Sequence, residues 1–111
     1  GFFSNVHEGP QSLTKTNDIK LEEGMIVSNE PGFYKKGKFG IRIENLIYVK
    51  KLKNKLFFKN LTLAPIEKDL IDFKQLTEIE KDYLLKYNIL IYSKLSPFLN
   101  KNEKKWLAGF I

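Results

Sequence analysis

Apolar residues follow two different rhythms along this chain. Up to about Leu63 they come in short runs, often alternating with polar residues, separated by Gly, Pro, Asn and Lys clusters. That is the signature of short strands joined by turns. Phe2 to His7 predicts a first strand, which Glu8-Gly9-Pro10 breaks into a polar loop reaching Lys20. Met25 to Ser28 predicts a second strand after the turn Glu22-Glu23-Gly24. It closes at Pro31-Gly32, where proline fixes φ and the chain is expected to bend, so Glu30 stands at a strand end. After a turn at Lys35-Lys36-Gly37-Lys38, the β-branched segment Phe39 to Lys50 predicts a longer strand. Its alternation puts Arg42, Glu44, Leu46 and Tyr48 on one face and Ile41, Ile43, Ile47 and Val49 on the other. A charged connection, Lys50 to Lys55, leads into Leu56-Phe57-Phe58 and on toward Leu63, before Pro65. The economical arrangement is an antiparallel meander.

Beyond Thr77 the spacing lengthens to three and four. Ile79, Tyr83, Leu84, Tyr87, Leu90, Ile91 and Leu95 form one stripe, and Thr77 with Glu80 three positions later makes a capping box. A helix is predicted from about Glu78 to Leu95, ended by Pro97. A shorter helix is expected over 103–109, with Trp106 and Leu107 on its buried side.

Composition narrows the function classes. At 111 residues, with 42% hydrophobic and 14% aromatic content, the chain can bury a core. The net charge of +6 comes from scattered lysines and a single arginine, Arg42. Nucleic-acid recognition favours clustered charge and arginine forks, so a solvated surface is the better account and no nucleic-acid partner is expected. With no cysteine, disulfides, zinc-thiolate sites and thiol nucleophiles are excluded. No apolar run approaches the roughly 18 residues that a membrane-spanning helix needs, and no membrane partner is expected. The composition is consistent with a cytoplasmic location. The chain starts at Gly1, inside a predicted strand, as a piece of a longer polypeptide would.

Candidate chemistry centres on two carboxylates and the only histidine, His7. Glu44, on a strand among isoleucines, is costly to desolvate unless it is paired or bound to a cation. Arg42, about 7 Å along the same face, offers an ion pair; a metal is the alternative. Glu30 reads either as an exposed carboxylate beside a turn or as a ligand, His7 as a satisfied strand-end residue or a catalyst, and Tyr34 as rim packing or a site residue. Only their order and spacing together discriminate.

Three words in order carry a resemblance: Asn5-Val6-His7-Glu8-Gly9-Pro10, then the stretch from Glu23 through Ser28-Asn29-Glu30-Pro31-Gly32-Phe33-Tyr34, then Phe39-Gly40-Ile41-Arg42-Ile43-Glu44-Asn45. They resemble the C-terminal half of the metallopeptidase domain of the aminopeptidase P family, the Xaa-Pro aminopeptidases of the pita-bread (creatinase-like) fold. Leu61-Thr62-Leu63-Ala64-Pro65-Ile66, Leu70-Ile71-Asp72 and Trp106-Leu107 resemble the extra C-terminal domain of the long, three-domain members. The implied fold is α+β: antiparallel strands of the peptidase domain over residues 1–54, then a small C-terminal domain of a strand and helices over 55–111.

The resemblance further implies roles. Glu30 and Glu44 match two ligands of a dinuclear metal centre, with manganese the expected ion, and Glu30 doubles as proton acceptor. His7 matches a histidine that hydrogen-bonds substrate, while Tyr34 and Arg42 match residues that orient ligands. The implied substrate is a peptide with proline in second position, from which the first residue is removed. The family's two metal-binding aspartates and its metal-binding histidine lie upstream, and Gly1 aligns with the end of that histidine's His-Gly-x-Gly word. This stretch alone is therefore expected to be inactive, its partners being the upstream segment and, by analogy with long members, a second copy in a homodimer. The alternative is a non-catalytic pita-bread relative serving as a protein-binding module.

Overall fold

The computed structural model describes Gly9 and residues 11–111, so the predicted strand over Phe2 to His7 lies outside the described residues. The chain divides into two units, one ending at Thr62 and the other spanning Leu63–Ile111.

Among its described residues the first unit holds five strands: β1 (Ile26–Asn29), β2 (Gly32–Lys35), β3 (Phe39–Arg42), β4 (Asn45–Leu52) and β5 (Lys55–Asn60). β1, β4 and β5 form one antiparallel sheet in the order β1-β4-β5, and β2 pairs with β3 in a second. Both ladders keep a single register. Asn29 faces Asn45 at the end of the first, and Gly32 faces Arg42 at the start of the second. β1 with β2, and β3 with β4, are thus two long strands interrupted at the same level, and together with β5 they make the expected meander. Pro31 causes the interruption. It has no N–H to give across the ladder, although its carbonyl still accepts from Ile43 N at 3.1 Å.

Two expectations change accordingly. The strand predicted over Phe39 to Lys50 is two strands, broken at Ile43-Glu44. Pro31-Gly32 does not end the pairing: β2 follows it and turns at Lys35–Lys38, where Lys38 N donates to Lys35 O at 3.0 Å and Gly37 takes φ +70°. The charged segment after Lys50 is mostly strand as well, with only Lys53 and Asn54 in a two-residue turn, both at positive φ. The buried face of the sheet carries Val27, Ile47 and Val49, as the alternation predicts for the last two.

In the second unit, α1 (Glu78–Leu95) has the predicted bounds and a complete capping box: Glu80 N donates to Thr77 Oγ1 at 3.2 Å, and Thr77 N to a Glu80 carboxylate oxygen at 2.8 Å. After a 3-10 turn at Ser96–Phe98 that contains Pro97, a second capping box at Asn100 and Glu103 opens α2 (Lys101–Phe110). Tyr87, Ile91 and Leu107 form the core, with Leu63, Ile66, Leu95 and Leu99 against it. The buried Tyr87 hydroxyl donates to Ala64 O at 2.8 Å, which pins the entering segment to α1. Trp106 is a correction: it is 66% exposed and lies against Phe110. Successive helical residues are 100° apart, so the turn that buries Leu107 swings its neighbour away from the core.

Candidate functional site

The shared register decides where the two candidate carboxylates stand. One step on from the Asn29–Asn45 pair, Glu30 lies opposite Glu44; one step back from the Gly32–Arg42 pair, Pro31 lies opposite Ile43. The Ile43 N to Pro31 O hydrogen bond holds that level together. Residues fourteen apart in sequence are therefore cross-strand neighbours in the gap between the two ladders, where opposed side chains have Cβ atoms about 5 Å apart.

Two carboxylates opposite each other repel unless a cation lies near them. One is present: Arg42 Nη2 donates to Glu44 Oε2 at 3.3 Å, the ion pair anticipated from spacing, with both side chains about half exposed. An exposed pair of this kind contributes little to stability. Glu30 is half-buried. The donor set is two hard carboxylates meeting at one edge, which fits an oxygen-seeking divalent cation and not a soft one. Among the described residues no group of three or more His, Cys, Asp or Glu side chains is placed to hold a metal.

Tyr34 is on the same hairpin, 66% exposed, with its ring lying over the backbone of Gly40 and Gly32. Arg42, Glu44, Glu30 and Tyr34 are thus brought to one hairpin, while His7 lies outside the described residues. The level of Pro31 and Ile43, which keeps the glutamates opposite each other, was not singled out from the sequence. A Pro-Gly pair normally signals a turn, and only the register across the Lys35–Lys38 turn reveals it as a gap in a ladder.

Known proteins resemble this chain over both of its units. Residues 1–51 match the model described as metallopeptidase family M24, and residues 54–109 match that of the C-terminal region of peptidase M24. A probable Xaa-Pro aminopeptidase P of Coprinopsis cinerea is 42% identical, the match taking in 96% of this chain and 19% of that protein. Aminopeptidase P2 of Arabidopsis thaliana is 41% identical over 93% of this chain and 16% of its own length. The crystal structure of X-prolyl aminopeptidase from Caenorhabditis elegans, described as a cytosolic enzyme with a di-nuclear active site, superposes with a TM-score of 0.71 at 36% identity, over 81% of this chain and 16% of that one. The α+β, pita-bread-like reading of the antiparallel sheets and helices therefore holds. The chain spans about a fifth of the length of the curated relatives it matches. It belongs to metallopeptidase family M24, with the family's C-terminal region as its second half.

Proposed function

We propose that this chain is the C-terminal part of a two-metal Xaa-Pro aminopeptidase, which removes the first residue from peptides with proline in second position. The observation that carries the reading is the register that sets Glu30 opposite Glu44 at the break between the ladders. Arg42 pairs with one carboxylate, Glu44, and the register brings a second to face it.

In this reading Glu30 and Glu44 are metal ligands, completed by two aspartates and a histidine from the upstream segment of the same polypeptide. These residues would hold two divalent ions, manganese being our choice for an all-oxygen and imidazole shell, which when bound would lower the pKa of water and polarise the scissile carbonyl. The rest falls to side chains of this chain. Glu30 accepts the proton of the attacking water at its carboxylate. Arg42 holds Glu44 in orientation through the 3.3 Å contact, and Tyr34 faces the same edge. His7 hydrogen-bonds substrate. Proline in second position makes the scissile bond a tertiary amide without an N–H, so a site shaped for its ring selects what most peptidases reject.

The peptidase part is placed over residues 1–54 and the C-terminal domain over 55–111, supported by family matches that end at 51 and begin at 54. Exposed apolar side chains on the second unit, Ile79, Leu85, Ile89 and Trp106, support a homodimer that covers them. A cytoplasmic location is favoured by the cytosolic relative; no helix among the described residues is long and apolar enough to cross a membrane.

Glu44→Ala in the full-length protein is the test. Loss of divalent-metal-dependent release of the first residue from an Xaa-Pro peptide, with the fold kept by circular dichroism, is expected. Full activity would leave the 3.3 Å ion pair as Glu44's whole purpose and disprove its role as a ligand, whereas no release of the first residue even by the wild type would favour the alternative, a non-catalytic pita-bread protein-binding module.

A further inference from the structure

We propose that Gly32 and Gly40 are positioning residues, two strand sites without side chains that seat the Tyr34 ring and carry its phenol to the Arg42–Glu44 end of the hairpin. The inference deepens the metallopeptidase reading above and rests on it for its functional half.

Glycine inside a strand weakens it, and usually marks a place where something approaches the backbone closely. Conformational freedom is not the reason at these two positions, because neither adopts the positive φ that Gly37 does. Space is the reason. A Cβ on Gly40 would stand 2.5 Å from Tyr34 Cδ1 and 3.0 Å from Cε1. A Cβ on Gly32 would stand 2.7 Å from the Tyr34 hydroxyl oxygen, 2.8 Å from Cε2 and 2.9 Å from Cζ. All are far inside van der Waals contact.

The two contacts also fix a direction. Tyr34 is the register partner of Gly40, and Gly32 is two residues back on Tyr34's own strand, so all three share one face. The near edge of the ring rests on Gly40 and its hydroxyl reaches Gly32. The register partner of Gly32 is Arg42, whose guanidinium holds Glu44 at 3.3 Å. The phenol is thereby delivered one cross-strand step from the arginine that orients a candidate ligand, and two residues from Glu30. With 66% of Tyr34 exposed, the backbone trough under the ring is what keeps it on this path.

Aromatic cover of a strand glycine can also be purely structural, and the test separates the two roles. In the full-length protein, Gly40→Ala is compatible with the backbone but evicts the ring. Its kcat on an Xaa-Pro peptide is expected to fall about 10- to 100-fold, the usual effect of losing support for a ligand shell, with KM and metal content little changed. In a Tyr34→Phe background, where the phenol is already gone, Gly40→Ala should add less than about twofold. An equal cost in both backgrounds, or no cost in either, overturns the positioning role. The seat has its own readout in the metal-free protein: with glycine labelled, the α-protons of Gly32 and Gly40 under the ring should be shifted upfield, and Tyr34→Leu should remove the shift. Glycine shifts unaffected by Tyr34→Leu would overturn the seat whatever the enzyme does. Full activity of Glu44→Ala would instead sink Glu44 as a metal ligand and leave the seat standing.

Discussion

The two units of this chain spend their apolar residues differently. In the second, Tyr87, Ile91 and Leu107 close a core between α1, α2 and the segment entering α1, and a buried hydroxyl finds its acceptor inside the same unit. In the first, among the described residues, the sheet buries only Val27, Ile47 and Val49, while Phe33, Tyr34, Phe39 and Ile41 of the β2–β3 hairpin stay open. The difference teaches which part closes its own core and which leaves its apolar side chains uncovered. A unit that satisfies itself can be read residue by residue. In the function proposed above, a hairpin that presents two opposed carboxylates and an uncovered aromatic surface is shaped for polypeptide and cations it does not contain.

That contrast can be broken from either side. The largest stability effect is expected at Ile91, which is completely buried: Ile91→Ala should lower the local stability of α1 by about 2–5 kcal/mol, read from hydrogen exchange of its amides in the full-length protein. Val49→Ala, in the thinner core of the sheet, should cost about 2 kcal/mol, read from the amides of β4 and β5. If the sheet proved the more sensitive of the two, the view of the second unit as self-contained would be wrong. Thr77→Ala removes one half of the capping box and should cost about 1 kcal/mol, confined to the first turn of α1. The smallest effect should come from Arg42→Met. Its half-exposed ion pair contributes less than about 1 kcal/mol to the fold, so hydrogen exchange in β3 and β4 should hardly change even as activity drops.

The same contrast explains what the sequence could tell. α1 was legible to the residue because its start is written locally, in Thr77 and Glu80, and its end in Pro97. Ile47 and Val49 were legible because alternation is local too. The gap at Pro31 was not, because a Pro-Gly pair reads as the end of a strand, and only pairing with a partner across the Lys35–Lys38 turn shows that the ladder resumes. Trp106 was misplaced because two adjacent large apolar residues in a short helix cannot both face the same core, and nothing in their own identities says which will. For the site, residue types and flanking words pointed to Glu30, Glu44, Arg42 and Tyr34. What they lacked was the geometry that makes them a set: register opposition for the two acids, and the glycine trough for the tyrosine.

The central claim is that Glu30 and Glu44 face each other because they share bound metal. Metal analysis of the full-length protein after removal of loosely held ions tests it most directly. The account predicts two divalent ions per chain in the wild type, and loss of at least one in Glu30→Ala and in Glu44→Ala with the fold retained. Unchanged metal content in both variants would contradict it.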